Sequence, residues 1–272
     1  GFLGPNGAGK TTTLRMLVGL ARPTAGEAFV LGESIAAPGK SYLKRLGYLP
    51  DVPGFYDWMR ARDFLVLTGR IFGLTGRELD NRLGEVLELT GLAGIKTRIG
   101  GFSRGMKQRL GMAQALINRP DLVFLDEPTS ALDPIGRKEV LEAVGALAGR
   151  VTVFFSTHIL NDVERVCDTV AILNRGRLMT QQPIHELRAS YASRCIYVEF
   201  EGQPDLPALL GGFAWAGRIA RDGEGWRIHP TDLRAAQSGL PRLLCDQGLA
   251  LRRFELVEPS LEDIFVRLVN GE

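Results

Sequence analysis

Apolar residues follow two different patterns along the chain. Through the first two thirds, short unbroken apolar runs alternate with stretches in which apolar residues recur every three or four positions. An unbroken run of four or five bounded by turn residues marks a strand buried on both faces; the wider spacing marks a helix with one face inward. Gly1–Gly4 thus reads as the stub of a strand. Lys10–Leu20 reads as a helix with Leu14, Leu17 and Val18 on one face, ended by Pro23 and Gly26, and Glu27–Leu31 as a further strand. From about 61 to 117 the spacing is helical throughout, with Phe64, Leu65, Ile71 and Phe72, then Leu79, Leu83, Val86 and Leu87, then Met106–Ile117. Leu122–Leu125 and Val151–Phe155 read as buried strands with a helix, Pro134–Leu147, between them. Thr169–Leu173 reads as a strand entering a hairpin at Asn174-Arg175-Gly176-Arg177. Strand, helix and strand in alternation predict an α/β fold: a mainly parallel sheet joined by crossovers, with a helical subdomain at about 60–118.

Beyond Leu187 the period shortens to two. Ile196, Val198 and Phe200 alternate with Tyr197, Glu199 and Glu201, as in a half-buried strand. Two more short strands are expected around Asp222-Gly223, and Asp232–Leu244 reads as an amphipathic helix. Ser260-Leu-Glu-Asp263 has the form of a capping box, followed by Ile264, Phe265 and Leu268 on the helical face that Leu261 begins. The expectation is two domains, 1–187 and a small α+β domain over 188–272.

Composition narrows the functional classes. Lys and Arg number 33 against 31 Asp and Glu, a net charge of +2. That balance speaks against a dedicated nucleic-acid binder, which needs a basic surface to release counterions. There is no apolar run of bilayer-spanning length, so any membrane role is expected to come through a partner. The three cysteines, Cys167, Cys195 and Cys245, have no C-x-x-C spacing and read as reduced residues of a cytoplasmic protein.

The chemistry begins at Gly4-Pro-Asn6-Gly7-Ala8-Gly9-Lys10-Thr11, which fits G-x-x-x-x-G-K-[ST] between a strand and a helix. In that setting successive backbone N–H groups surround phosphate oxygens, and the helix N-terminus adds its positive end. Gly4, Asn6, Gly7, Ala8, Gly9, Lys10, Thr11 and Thr12 form the expected nucleotide-binding set. Lys10 would reach the β- and γ-phosphates, and the Thr11 hydroxyl is a suitable Mg²⁺ ligand. Asp126 and Glu127 close the buried run Leu122-Val-Phe-Leu. Alone, such a pair is an ordinary loop acid pair. Beside a phosphate loop, Asp126 suits the metal and Glu127 the activation of water. His158 leaves the strand Val151–Phe155 at the same edge, where parallel sheets collect ligands, and could sense the γ-phosphate near Glu127. His185 and His229 belong to no such edge and read as structural.

With these residues assembled, the chain resembles the nucleotide-binding subunits of ABC transporters from Gly1 to about Leu187. Phe102-Ser103-Arg104-Gly105-Met106-Lys107-Gln108 matches the family's signature segment, and Ser130-Ala-Leu-Asp133 its dimer-contact loop. The resemblance implies a P-loop ATPase that binds ATP and Mg²⁺ and dimerises head to tail. Ser103 and Gly105 would then touch the γ-phosphate held by the second subunit, with Asp133 at the contact. Ser103 is equally a plain helix cap, and one geometry serves both. Two positions depart from the family: Arg104 stands where glycine is usual, and Asp51 where glutamine commonly reaches the metal and the water. Asp51 keeps an oxygen ligand but is shorter and charged, so whether it replaces glutamine stays open. The segment from Gly47-Tyr-Leu-Pro-Asp51 to Tyr56, with the tail Glu258–Phe265, most resembles the bacterial export branch. That implies ATP hydrolysis driving a separate membrane permease from the inner face of the cell membrane, with a second copy of the chain as dimer partner. An importer motor and a non-transport ABC ATPase are the alternatives. The resemblance further implies strands ahead of Gly4 carrying an aromatic residue for adenine, hence a chain truncated at its N-terminus.

Overall fold

A computed structural model describes residues 1–190, 195–202, 204–257 and 261–270. The chain divides into two compact units, Gly1–Ile184 and His185–Glu272. In the first, β1 (Phe2–Leu3) leads into α1 (Lys10–Leu17), then the hairpin β2 (Phe29–Val30) and β3 (Glu33–Ser34), and β4 (Leu46–Leu49). The helical part follows as α2 (Ala61–Ile71), α3 (Gly76–Leu89) and α4 (Arg104–Leu116). The chain then alternates through β5 (Leu122–Asp126), α5 (Pro134–Gly145), β6 (Thr152–Thr157), α6 (Leu160–Val166), β7 (Thr169–Asn174) and β8 (Arg177–Pro183). The six-stranded sheet runs β4-β5-β6-β1-β7-β8, parallel except for β8 on β7.

This is the expected mainly parallel fold with a helical part, and the boundaries moved for local reasons. The expected strand Glu27–Leu31 is a two-residue hairpin arm, because Leu31 (φ 51°) and Gly32 (φ 80°) turn the chain back at once. Two successive left-handed residues are what a tight hairpin requires. Arg175 (φ 48°) and Gly176 (φ 75°) make the same kind of turn between β7 and β8. α1 stops at Leu17 rather than Leu20, because Gly19 (φ 76°) lets the Leu20 N–H fold back on the Arg15 carbonyl at 2.8 Å.

One core layer joins α2, α3 and α4 to β5 and α5, with Leu65, Leu83, Val86, Leu110 and Val123 fully buried; a second lies under α1 and β1 around Leu14, Tyr42 and Phe124. Truncating any one of these leucines to alanine costs about 2–5 kcal/mol, which is how firmly the helical part is held to the sheet. Arg82 secures the end of α4 by donating to the carbonyls of Leu116 and Ile117.

The second unit begins within α7 (Ile184–Ser190) and continues with β9 (Cys195–Phe200), α8 (Leu206–Leu210), β10 (Arg218–Asp222), β11 (Gly225–His229), α9 (Leu233–Asp246), β12 (Leu251–Val257) and α10 (Leu261–Asn270). Its antiparallel sheet runs β10-β11-β9-β12, and Ile196, Val198, Ile228, Leu240 and Leu244 fill its core, giving the expected α+β texture. The capping box lies outside the described residues at Ser260, and at Asp263 for its side chain; Leu261 and Ile264 are buried as their spacing predicted.

Candidate functional site

Parallel register explains why residues far apart in sequence meet. β5 and β6 place Asp126 opposite Ser156, and β1 and β6 place Leu3 opposite Thr157. The exits of three adjacent strands therefore open on one edge, each delivering its polar residues there.

The phosphate loop leaves β1 through Gly4, where a Cβ would overlap the Leu173 carbonyl oxygen, so only glycine fits. Gly7 (φ 79°) and Gly9 (φ 106°) then take conformations that admit glycine freely. Ala8 is buried and its carbonyl accepts the Gly176 N–H at 2.9 Å, which fastens the loop to the β7–β8 turn. Gly9 caps α1 and puts Lys10 and Thr11 in the first turn.

Lys10 is 5% exposed, and its Nζ donates to the carbonyls of Gly4 at 2.7 Å and Pro5 at 3.2 Å. The same ammonium lies 3.0 Å from Glu127 Oε1, an ion pair with little access to water. Thr11 Oγ1 donates to Asp126 Oδ1 at 3.2 Å, so the expected hydroxyl and carboxylate ligands stand side by side. The same oxygen accepts from Ser156 Oγ at 2.6 Å. Glu127 takes a left-handed φ of 47°, held by its N–H on the Ser156 carbonyl at 3.0 Å. Strain of this kind in a residue with a side chain persists only where the surroundings enforce it, and it gathers at functional sites. Glu127 Oε2 is 2.8 Å from His158 Nδ1.

Lys10, Thr11, Glu127 and His158 border a cleft of about 400 Å³ whose lining also includes Asn6, Gly7, Gly9, Thr12, Asp51 and Ser130. Gly4, Ala8 and Asp126 are buried and do not line it; Asp126 is joined to it through Thr11. Asp51 enters the cleft through its position after β4; its carbonyl accepts from Gln108 Nε2 of α4 at 2.6 Å, while its buried Oδ1 has no hydrogen-bond partner. Burial raises the Asp51 pKa above the ordinary 3.8, Arg104 pulls it down, and Glu127 and Asp126 push it up again. A buried carboxylate oxygen without a donor is a fitting ligand for a hard cation. Among the described residues no group of three or more His, Cys, Asp or Glu side chains is arranged to hold a metal. Asp126, Thr11 and Asp51 fit Mg²⁺, which takes few protein ligands and completes its shell with phosphate and water.

Ser103, Gly105 and Asp133 do not line this cleft. Ser103 caps α4, its Oγ accepting the Met106 N–H at 3.2 Å. Gly105 is buried against α5, where a Cβ would come within 3.2 Å of Gly136 Cα. Asp133 is exposed ahead of α5, its carboxylate beside Gly136. The sequence does not single out two residues of the site: Ser130, which lines the cleft, and Ser156, which is buried and does not. Ser130 sits in the Ser130–Asp133 loop that drew attention only to its last member. Ser156 holds Asp126 from the next strand; its signal was a serine and a threonine directly after an apolar run.

Residues 1–130 match the family described as ABC transporter, and residues 183–269 match the ATP-binding protein DrrA1-3-like, C-terminal domain. The uncharacterized ABC transporter ATP-binding protein YxlF of Bacillus subtilis (strain 168) is 41% identical over 275 residues, covering 99% of this chain and 90% of its own length. The bacitracin transport ATP-binding protein BcrA of Bacillus licheniformis is 38% identical, covering 100% of this chain and 88% of its own. Nod factor export ATP-binding protein I of Rhizobium sp. (strain N33) is 34% identical over the same shares, 100% and 88%. A solved structure of an ATP binding subunit of an ABC transporter superposes with a TM-score of 0.61 at 31% identity, over 70% of this chain and 80% of that one. With relatives this similar over nearly the whole chain, and a phosphate loop, acidic pair and histidine gathered at one sheet edge, the chain belongs to the ABC transporter ATP-binding proteins.

Proposed function

We propose that this ATPase works as a head-to-tail dimer that closes around ATP and Mg²⁺ and drives export through a separate permease at the inner face of the cell membrane. The observation that carries the reading is the division of the ligand groups. Lys10, Thr11, Asp126, Glu127 and His158 meet at one cleft, while Ser103 stands outside it at the start of another helix. A second copy would supply Ser103 and Gly105 to this cleft and Asp133 to the contact.

In that arrangement Asp126, Thr11 and Asp51 would hold Mg²⁺, which would supply neutralisation of charge on the transferred phosphoryl group. The N–H groups of Gly7, Gly9, Lys10 and Thr11 orient the phosphates, and the Lys10 ammonium leaves Glu127 for them. Glu127, released from that ion pair, accepts a proton from the attacking water. His158, in contact with Glu127 Oε2, fixes that carboxylate's direction.

Exposed Val52, Tyr56 and Trp58, near Asp51 in sequence, offer an apolar surface for a permease. Among the described residues no helix is long and apolar enough to cross a membrane. Export, rather than uptake, is supported by the relative named for Nod factor export.

Size-exclusion chromatography tests the dimer. With ATP, Glu127→Gln is expected to accumulate as a dimer, and adding Ser103→Arg to it to restore the monomer while ATP stays bound. A Glu127→Gln chain that binds ATP and remains monomeric would refute the shared site.

A further inference from the structure

Thr129, two residues past Glu127, does not face the cleft. It is 1% exposed, and its Oγ1 donates at 2.6 Å to Oδ2 of Asp162, which is also 1% exposed. The other oxygen, Oδ1, accepts from Arg137 at Nε, 2.8 Å, and at Nη2, 2.7 Å. Both oxygens of the carboxylate are thus taken, so it has no freedom to turn.

The three residues come from three elements, each carrying a group proposed for the site. Thr129 follows Glu127 on the loop after β5. Asp162 lies on α6, one turn after His158. Arg137 lies on α5, one turn after Asp133. Glu127 and His158 must meet at 2.8 Å although they leave different strands, and Glu127 does so in a left-handed conformation. A contact between two loops keeps its geometry only if their distant ends are also tied.

We infer that Asp162 is a positioning residue: through Thr129 and Arg137 it sets the Glu127–His158 contact and couples that contact to the Asp133 turn. The inference rests on the reading of Glu127 and His158 given above. The Thr129 hydroxyl is spent on Asp162 and not on a cleft residue, so its effect on turnover passes through the tie.

Asp162→Asn leaves the Arg137 charge unmatched and is liable to unfold, so the test uses Thr129→Val, which keeps the shape and loses the donor, and Thr129→Ser, which keeps the donor. In the full chain, Thr129→Val is expected to lower kcat by about tenfold, the loss of one buried hydrogen bond, with KM for ATP nearly unchanged. Thr129→Ser should restore kcat. In a His158→Ala background the same Thr129→Val change should add at most about twofold, because the contact it positions is already gone; a general loss of structure would add in full. Independently of turnover, Thr129→Val should move the imidazole ¹⁵N signals of His158 and Thr129→Ser should leave them in place. Unchanged signals in Thr129→Val, or an equal kcat loss with and without His158, overturns the inference. Full turnover in both Glu127→Gln and His158→Ala would instead overturn the assignment of those two groups, and the ¹⁵N signals would then decide the tie alone.

Discussion

The ion pair between Lys10 and Glu127 sets two roles of the site against each other. Lys10 is the proposed cation for phosphate, yet at 3.0 Å it already has an anionic partner in a poorly hydrated place, with side-chain exposures of 5% and 10%. At that separation and an effective permittivity of about 20, the gross attraction is about 5 kcal/mol. Most of it offsets the removal of both charges from water. The part that counts as net is closer to about 1.5–3 kcal/mol, the value of a hydrogen bond to a charged group. Phosphate must displace Glu127 from Lys10, so Glu127→Gln removes a competitor as well as the proposed base. ATP should therefore bind the variant about ten- to a hundredfold more tightly, while kcat falls by about 10²–10⁴-fold. Dimerisation would also raise apparent affinity. The comparison is therefore made with Ser103→Arg in both chains, titrating a fluorescent ATP analogue and following phosphate release separately. If ATP binds Glu127→Gln no more tightly than its parent, Lys10 is not contested and the competition argument fails.

Ser156→Ala should cost about 1.5–3 kcal/mol in urea unfolding, because it removes a buried donor from the Asp126 carboxylate, and should weaken Mg²⁺-dependent ATP binding as Asp126 loses its orientation; a stability change below about 0.5 kcal/mol, the range of an uninvolved site, would count against it. Tyr42→Phe should stabilise the chain by about 1 kcal/mol, since its hydroxyl is buried without a partner. Burial, then Glu33, raises the Tyr42 pKa above 10.0, so wild-type stability should fall as pH rises past 10.0 and the phenylalanine variant's should not, as thermal melts across pH 9–11 would show. Asp51→Asn should melt higher than wild type at neutral pH, because a carboxyl raised above 3.8 loses stability as pH rises through its folded pKa; the gain should vanish below 3.8, where both states hold the proton.

What was legible in the sequence is what lies within a single run of residues. The loop Gly4–Thr11 carries its glycines, lysine and threonine in consecutive positions, and its place between strand and helix could be read from the flanking apolar pattern. Asp126-Glu127 and His158 were legible for the same reason, as polar groups at the end of buried runs. The strand at Glu27–Leu31 failed because propensity over five residues does not show that Leu31-Gly32 turns the chain. Ser156 was passed over because its partner, Asp126, lies on another strand and only the parallel register sets them opposite each other. Thr129, Arg137 and Asp162 carry no spacing signal at all, since each is an unremarkable polar residue until three elements pack. The signature segment shows the opposite limit: its sequence is plain, yet within one chain Ser103 is a helix cap and Gly105 a packing glycine against Gly136.

The charges around the cleft fit the proposed Mg²⁺-bound working state. Asp51, Asp126 and Glu127 contribute three carboxyl groups; after burial and the opposing Arg104, Glu127 and Asp126 push the Asp51 pKa upward. Lys10 is the ammonium at the cleft, and it is held by Glu127; Arg104 acts on Asp51 from the start of α4. Polyphosphate brought into such a place meets these carboxylates with one contested lysine against them, besides the loop N–H groups and the start of α1. With glutamine at position 51 the cleft would carry one charge fewer. On the proposed reading, aspartate there would make the site more dependent on a bound cation and would offer it the unpartnered Oδ1. Arg104, where a signature glycine is usual, opposes that extra charge from one turn before Gln108, whose amide already holds the Asp51 carbonyl. Asp51 and Arg104 therefore carry charges of opposite sign, and the loop after β4 and the start of α4 are electrostatically joined within one subunit.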